Sequence, residues 1–359
     1  MSPSPTTGAN DDLASAIDRA TGRLIEERTS AGYWCYEFEA DCTIPAEYIL
    51  LAHFTGERQF VDELAPDLAD RIGNYLRNRQ DDHGAWPLYH GGAMDLSCSV
   101  KAYYALKLIG DSPDAEHMIR AKDAILREGG AVNANVFTRI TLALFGQLPW
   151  DAVPVVPVEI MLFPRWAPVH LDKVSYWSRT VTVPLSILCS VKARAVNPSG
   201  LGVAELFVRP PEEEPRYFTA RSAMNRLFLG LDAVGRRLEP RIPGRLRRKA
   251  MERAERWIVE RLNGVDGLGA IFPAMVNAYE ALGELGYSVD HPYRVNAAEA
   301  LKRLVVAHTD EAYVQPCVSP IWDTGLAGLA LDAVESAGLG TDASLGMYAS
   351  DSISELAPD

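Results

Sequence analysis

The sequence predicts an all-α protein built from stacked helical hairpins, and three observations carry that prediction. Apolar residues return at helical spacing through most of the 359-residue chain. The stretch Gln80-Asp81-Asp82-His83-Gly84-Ala85-Trp86 punctuates two such runs, and Gly32-Tyr33-Trp34 repeats its glycine and tryptophan earlier. Trp34 and Trp86 stand roughly 50 residues apart, a period typical of repeated helix pairs. Glycine lets the chain turn sharply after a helix, while the indole covers the helix end and aims its N–H at a backbone carbonyl. The glutamine can hydrogen-bond orphan backbone groups there.

In chain order, residues 1–12 begin with a Pro/Ser/Thr/Gly segment lacking a basic region and an apolar run. They read as a disordered tail without a signal peptide. An amphipathic helix follows, with Leu13, Ile17, Ala20, Leu24 and Ile25 on one face. A second runs from Ala46 to Phe54 behind Pro45 and carries Glu47 among apolar neighbours; a third ends near Arg79. After the Trp86 turn a helix spans Leu96–Leu108, and Ser112-Pro113-Asp114 starts another that Gly129-Gly130 stops. Asn135–Leu144 is the next inner element. Prolines 149, 154, 157, 164 and 168 then impose a shaped loop bearing Trp150, Phe163 and Trp166. Helix returns at Trp177–Val191, and Ala193–Arg216 reads as a solvated linker.

Residues 219–256 combine Met224, Leu227, Phe228 and Leu231 with Arg236, Arg237, Arg241, Arg245, Arg247, Arg248, Lys249 and Arg253. Such a basic amphipathic stretch fits either a salt-bridged solvated helix or an anionic membrane surface. Gly267–Pro273 is a further turn, with Gly269 where a tryptophan would stand. Helices continue to Gly286 and from Ala297 to Ala307, and the last apolar one ends near Ala337.

The net charge of −13 and pI near 5.1 argue against a nucleic-acid partner. Five cysteines (Cys35, Cys42, Cys98, Cys189, Cys317) follow no C-x-x-C spacing and read as reduced packing thiols, with no metal site. No G-x-S-x-G elbow or phosphate-cradling glycine loop is present, and no cofactor is expected. No run approaches the roughly 18 apolar residues of a spanning helix.

Q-x3-G-x-W at Gln80, Gly84 and Trp86 resembles the QW motif of triterpene cyclases. Further blocks resemble the amino-terminal half of squalene–hopene cyclases, collinearly over about residues 13–338. They include Ala46–Leu51, Val100–Lys107, Asn135–Arg139, Pro157–Met161, Gly269–Met275 and Ser319–Thr324. The resemblance implies an α/α barrel at 39–305, the inserted amino-terminal domain of that family. It assigns 13–38 and 306–338 to an incomplete second barrel and leaves 339–359 as an irregular tail. Cyclisation of squalene to hopene or hopanol is the implied activity. Trp177, Phe137 and Trp322 match pocket-facing aromatics, and Ile271, Phe272 and Pro273 match the strip at the far end of the polyene; by helical spacing alone, such aromatics would be core. Glu47 reads either as a member of an inter-helix network, which is favoured, or as a charge inside the barrel.

The family's acid motif, D-x-D-D, is absent from the sequence, so no catalytic residue is assigned and the chain is expected to be inactive alone. Phe272 replaces a glutamine of well-known hopene cyclases, Lys101 replaces an acid of some, and Thr141 a tryptophan of some. These departures leave the product open. Implied partners are squalene or a similar linear isoprenoid, the cytoplasmic face of a membrane contacted through 219–256, and a carboxy-terminal polypeptide or a second copy. The rival is a non-catalytic lipid-binding or scaffold subunit of a split cyclase. Apolar faces at the two ends (Leu13, Ile17, Leu24; Leu326, Leu329, Leu331) are expected to lack partners.

Overall fold

The computed structural model describes residues 6–338, except 62–63, 66, 168–169, 215–216 and 219–221. The expected tail at 339–359 lies outside the described residues. Twelve α-helices are described: α1 (Thr6–Glu26), α2 (Thr43–Thr55), α3 (Leu68–Asn78), α4 (Leu96–Ile109), α5 (Glu116–Arg127), α6 (Val136–Leu144), α7 (Tyr176–Val191), α8 (Ala223–Leu238), α9 (Gly244–Val259), α10 (Phe272–Glu284), α11 (Pro292–Lys302) and α12 (Pro320–Ser336). Short 3₁₀ turns fill the proline-rich loop, as the breakers there require.

The chain divides into two compact units, one holding the segments up to Phe38 and from Val318, the other spanning Glu39–Cys317. In the smaller unit, Trp34 is buried with Ala327 and Leu331, and Leu24 and Ile25 pack against that cluster. The Trp34 indole donates to the carbonyl of Leu24 at 2.7 Å, and its backbone N–H donates to Thr324 Oγ1 at 3.0 Å. Leu24 and Leu331 therefore have the partner the sequence appeared to deny them, whereas Leu13, Leu326 and Leu329 are exposed. Helix α1 begins at Thr6 rather than at residue 13, because no proline interrupts the chain between Pro5 and Pro45.

In the larger unit, α2, α4 and α10 are buried on nearly every side, whereas α3, α5 and α9 are amphipathic and cover them. Side-chain caps fix several starts: Asp95 accepts from the N–H of Cys98, Asn135 from Thr138 and Ser175 from Ser178. Helix α5 starts at Glu116, later than Ser112-Pro113 suggested, because Ser112 instead closes a turn with Asp114 and Ala115.

The turn at Trp86 is a built joint. Its indole is fully buried and donates to the Leu76 carbonyl at 2.8 Å, satisfying one acceptor at the end of α3. Gln80 Nε2 donates to the carbonyls of Gly84 (3.0 Å) and His117 (2.8 Å), and Gln80 Oε1 accepts from Arg120 (3.0 Å). The glutamine thus ties the turn to α5 instead of capping its own helix. Gly84 sits at φ +83°, and a Cβ there would come within 2.6 Å of Arg120 Cβ and 2.8 Å of its carbonyl. At the degenerate turn, Gly269 lies at φ +70° with Thr180 Oγ1 2.8 Å from a hypothetical Cβ, so the chain passes α7 where no side chain fits.

Two further expectations change. Ala193–Arg216 is not a solvated linker throughout. Val203 and Leu206 are fully buried, and Glu205 pairs with Lys107 and accepts from Tyr103, which ties the segment to α4. The expected helix at 297–307 stops at Lys302, and Val305–Ala307 pairs antiparallel with Ala312–Val314 as β1 and β2. The β-branched pair Val305-Val306 favours that choice. The hairpin stays with the larger unit, which therefore extends to Cys317 and not to 305. Tyr313 stacks on Tyr75 at 5.6 Å, and the N–H of Phe272 donates to the carbonyl of Pro316 at 2.8 Å.

Candidate functional site

Helical faces of the larger unit line a cavity of about 400 Å³. Helix α2 contributes Ile44, Glu47 and Leu51, α6 contributes Phe137, Ile140, Thr141 and Leu144, α7 contributes Trp177, Val181 and Leu185, and α10 contributes Pro273, Val276, Asn277 and Glu280. Steps of three and four residues put each set on one side of its helix. The wall is therefore a by-product of packing four helical faces around one space, and the size falls within the usual range of small-molecule pockets.

Four of the residues singled out from sequence line this cavity: Phe137, Trp177, Ile271 and Pro273. Phe137 and Trp177 are 52% and 61% exposed, so their rings are not spent in the core and are free to meet a ligand. Phe272 is a correction. It is fully buried, with its ring 6.5 Å from that of Tyr48, because successive helical residues point about 100° apart and Pro273 takes the inward position. Trp322 lies in the smaller unit, exposed in the first turn of α12; the cavity is a feature of the larger unit by itself. Gln80, Gly84 and Trp86 belong to the structural turn described above.

Three charged residues interrupt the apolar wall. Lys101 of α4 is buried and its Nζ pairs with Glu47 Oε1, so Glu47 is at once part of an inter-helix link and part of the cavity lining. Glu280 of α10 is the residue that sequence reasoning missed. Burial pushes its carboxyl well above the ordinary carboxylate range, and the negative charges of Glu47 and Glu284 push it further. A glutamate inside the apolar run Phe272–Leu282, seven positions after Pro273 on the same face, was the available signal. Burial also raises the thiols of Cys42, Cys98 and Cys189, which behave as packing groups. No group of His, Cys, Asp and Glu among the described residues could hold a metal ion.

Comparison with known proteins agrees with the motifs. The model of the squalene-hopene cyclase N-terminal domain matches residues 17–310. The chain is 49% identical over 324 residues to a squalene–hopene cyclase of Bradyrhizobium diazoefficiens, covering 89% of this chain and 48% of that protein. It is 48% identical over 329 residues to the one of Zymomonas mobilis (90% and 49%) and 36% identical over 330 residues to the one of Alicyclobacillus acidocaldarius (92% and 50%). The chain spans about half the length of these relatives. A domain match over most of the chain, together with these identities, places the protein in the squalene–hopene cyclase family, to whose amino-terminal half it corresponds.

Proposed function

We propose that this chain acts as the amino-terminal part of a squalene–hopene cyclase and contributes a wall of the pocket that holds squalene during its protonation and carbocation cascade to hopene or hopanol. The observation that supports this best is the convergence of Phe137, Trp177, Ile271 and Pro273 on one apolar cavity. A π face attracts a desolvated cation by about 2 kcal/mol, so exposed rings on that wall suit a travelling positive charge. The sequence contains no D-x-D-D, and on this reading the chain by itself holds the polyene without turning it over. Gas chromatography after long incubation of the purified chain with squalene tests the point. No hopene above a boiled control is expected, and clear product would mean that an acid in this half had been overlooked.

The same reading brings the chain to a membrane. No described helix is long and apolar enough to cross one. Leu227, Leu231, Val234 and Leu238 nevertheless form a stripe along α8, each about half exposed, and arginines follow from Arg236 to Arg253; the side chains of Met224 and Phe228 lie outside the described residues. An exposed apolar stripe beside cations suits insertion into an anionic surface. Co-sedimentation with anionic vesicles should fall for Leu231→Glu and at high salt, and equal binding by mutant and parent would place the contact elsewhere.

A subunit of a split cyclase is the second reading, favoured by Ile321, Trp322, Leu326 and Leu329, all exposed on α12. A lipid-holding subunit would bind squalene yet yield no hopene when a second polypeptide bearing D-x-D-D is supplied.

A further inference from the structure

The turn Leu262-Asn263-Gly264-Val265-Asp266-Gly267-Leu268 follows α9 and contains the sequence's one Asn-Gly step and its one Asp-Gly step. Both steps are chemically labile, because a glycine has no side chain to keep its nitrogen away from the carboxamide or carboxyl that precedes it. Packing separates the two. Asn263 and Gly264 are exposed, and a Cβ on Gly264 would meet nothing within 4 Å. The hydrogen bonds on this side of the turn are long: the N–H of Asn263 to the carbonyl of Gly267 and the N–H of Asp266 to the carbonyl of Asn263, each 3.4 Å. Asn263 sits at φ −84°, ψ 45°, and bringing the Gly264 nitrogen onto its Cγ takes a swing of that ψ, which such weak bonds oppose little. Gly267 is placed differently. It is buried, a Cβ there would lie 2.8 Å from Ala300 Cβ and 3.0 Å from Met275 Cγ, and its N–H donates to the carbonyl of Gly264 at 3.2 Å. Leu268 behind it is fully buried and pairs with Leu262. The same swing at Asp266 would have to move this packed peptide.

We propose that Asn263-Gly264 is a site of spontaneous deamidation in the folded protein, and that the fold protects the neighbouring Asp266-Gly267 from the corresponding isomerisation. The main-chain nitrogen of Gly264 gives its proton to solvent base and attacks Cγ of Asn263. The N–Cγ bond forms, the Cγ–Nδ2 bond breaks, and the side-chain nitrogen leaves as ammonia with a proton returned from water. Water then opens the cyclic imide at Cγ to give aspartate, or at the main-chain carbonyl to give isoaspartate, whose backbone runs through Cγ and is longer by one carbon. Either product replaces a neutral amide with a carboxylate. Isoaspartate also lengthens the turn that leads to Ile271 and Pro273 of the cavity wall.

The experiment ages the full chain at pH 8, native and in guanidinium, and follows both steps by mass spectrometry after peptic digestion at acidic pH, where the imide forms too slowly to interfere. Electron-transfer fragmentation distinguishes isoaspartate from aspartate. Each step is scored against its own rate in the unfolded chain: Asn263 should convert within about tenfold of that rate, and Asp266 should be slowed about a hundredfold or more, because its swing needs a larger opening of the fold. An acidic form should appear on isoelectric focusing of the aged parent and be missing from Asn263→Gln, whose longer side chain disfavours the five-membered ring. Asn263 protected as strongly as Asp266, Asp266 converting as readily as Asn263, or the same acidic form in Asn263→Gln would each overturn the proposal. The parent chain alone decides the first two outcomes, whatever the variant does to folding.

Discussion

Replacing Gly84 with alanine tests whether the glycine of the tryptophan turn is there for conformation, for space or for both. At φ +83° an L-residue pays about 1–2 kcal/mol for the left-handed backbone. The new methyl would also lie 2.6 Å from Arg120 Cβ and 2.8 Å from the Arg120 carbonyl carbon and oxygen, contacts with the backbone of α5 that no rotamer can relieve. Overpacking of that kind costs about 1–3 kcal/mol more. The sum is roughly 2–5 kcal/mol, a sizeable part of the 5–15 kcal/mol typical of a folded domain. Gly286→Ala is the internal control: it has φ +90° and nothing within 4 Å of the added methyl, so it bears the backbone term alone. Denaturant midpoints and melting temperatures of the two variants separate the terms. At about 2–4 °C per kcal/mol for a unit of this size, Gly84→Ala should melt several degrees below Gly286→Ala. Equal losses would refute the packing argument and leave the turn glycine as a conformational requirement alone.

Trp86→Phe keeps a buried ring but removes the donor to Leu76. The carbonyl keeps the N–H of Arg79 at 3.3 Å, so losing the indole bond should cost only about 0.5–1.5 kcal/mol, read as a lowered urea midpoint; no loss would mean that the indole bond contributes nothing. Lys101→Met strands Glu47 in the cavity wall and should destabilise by about 3 kcal/mol, whereas Lys101→Met with Glu47→Leu should recover most of it. A double variant as unstable as the single would show that the pair does not act through charge. The raised Glu280 carboxyl also fixes the sign of a pH effect. Above the ordinary glutamate value of 4.5 the unfolded chain loses a proton that the folded chain keeps, so this group's contribution is fullest below that value and falls as pH rises toward the raised one. Melting curves against pH should show Glu280→Gln gaining on the parent as pH rises, and parallel curves would mean the carboxyl ionises freely in the fold.

Local chemistry is what the sequence determined. Helix type and the tryptophan turns depend on neighbours a few residues apart, and Gln80, Gly84 and Trp86 could be read directly because one turn uses all three. The family-level assignment was legible for the same reason, since its motifs are short and contiguous. Packing decided the rest. Pro273 rather than Phe272 faces the cavity, because rotation about a helix axis is set by what the helix packs on. Val203 and Leu206 looked solvated until α4 closed over their segment, and Val305-Val306 became a strand because Ala312–Val314 was there to pair with it. Glu280 was invisible as a site residue for a further reason: a glutamate in an apolar run shows its meaning once the space in front of it is known, and that space belongs to residues from four other helices.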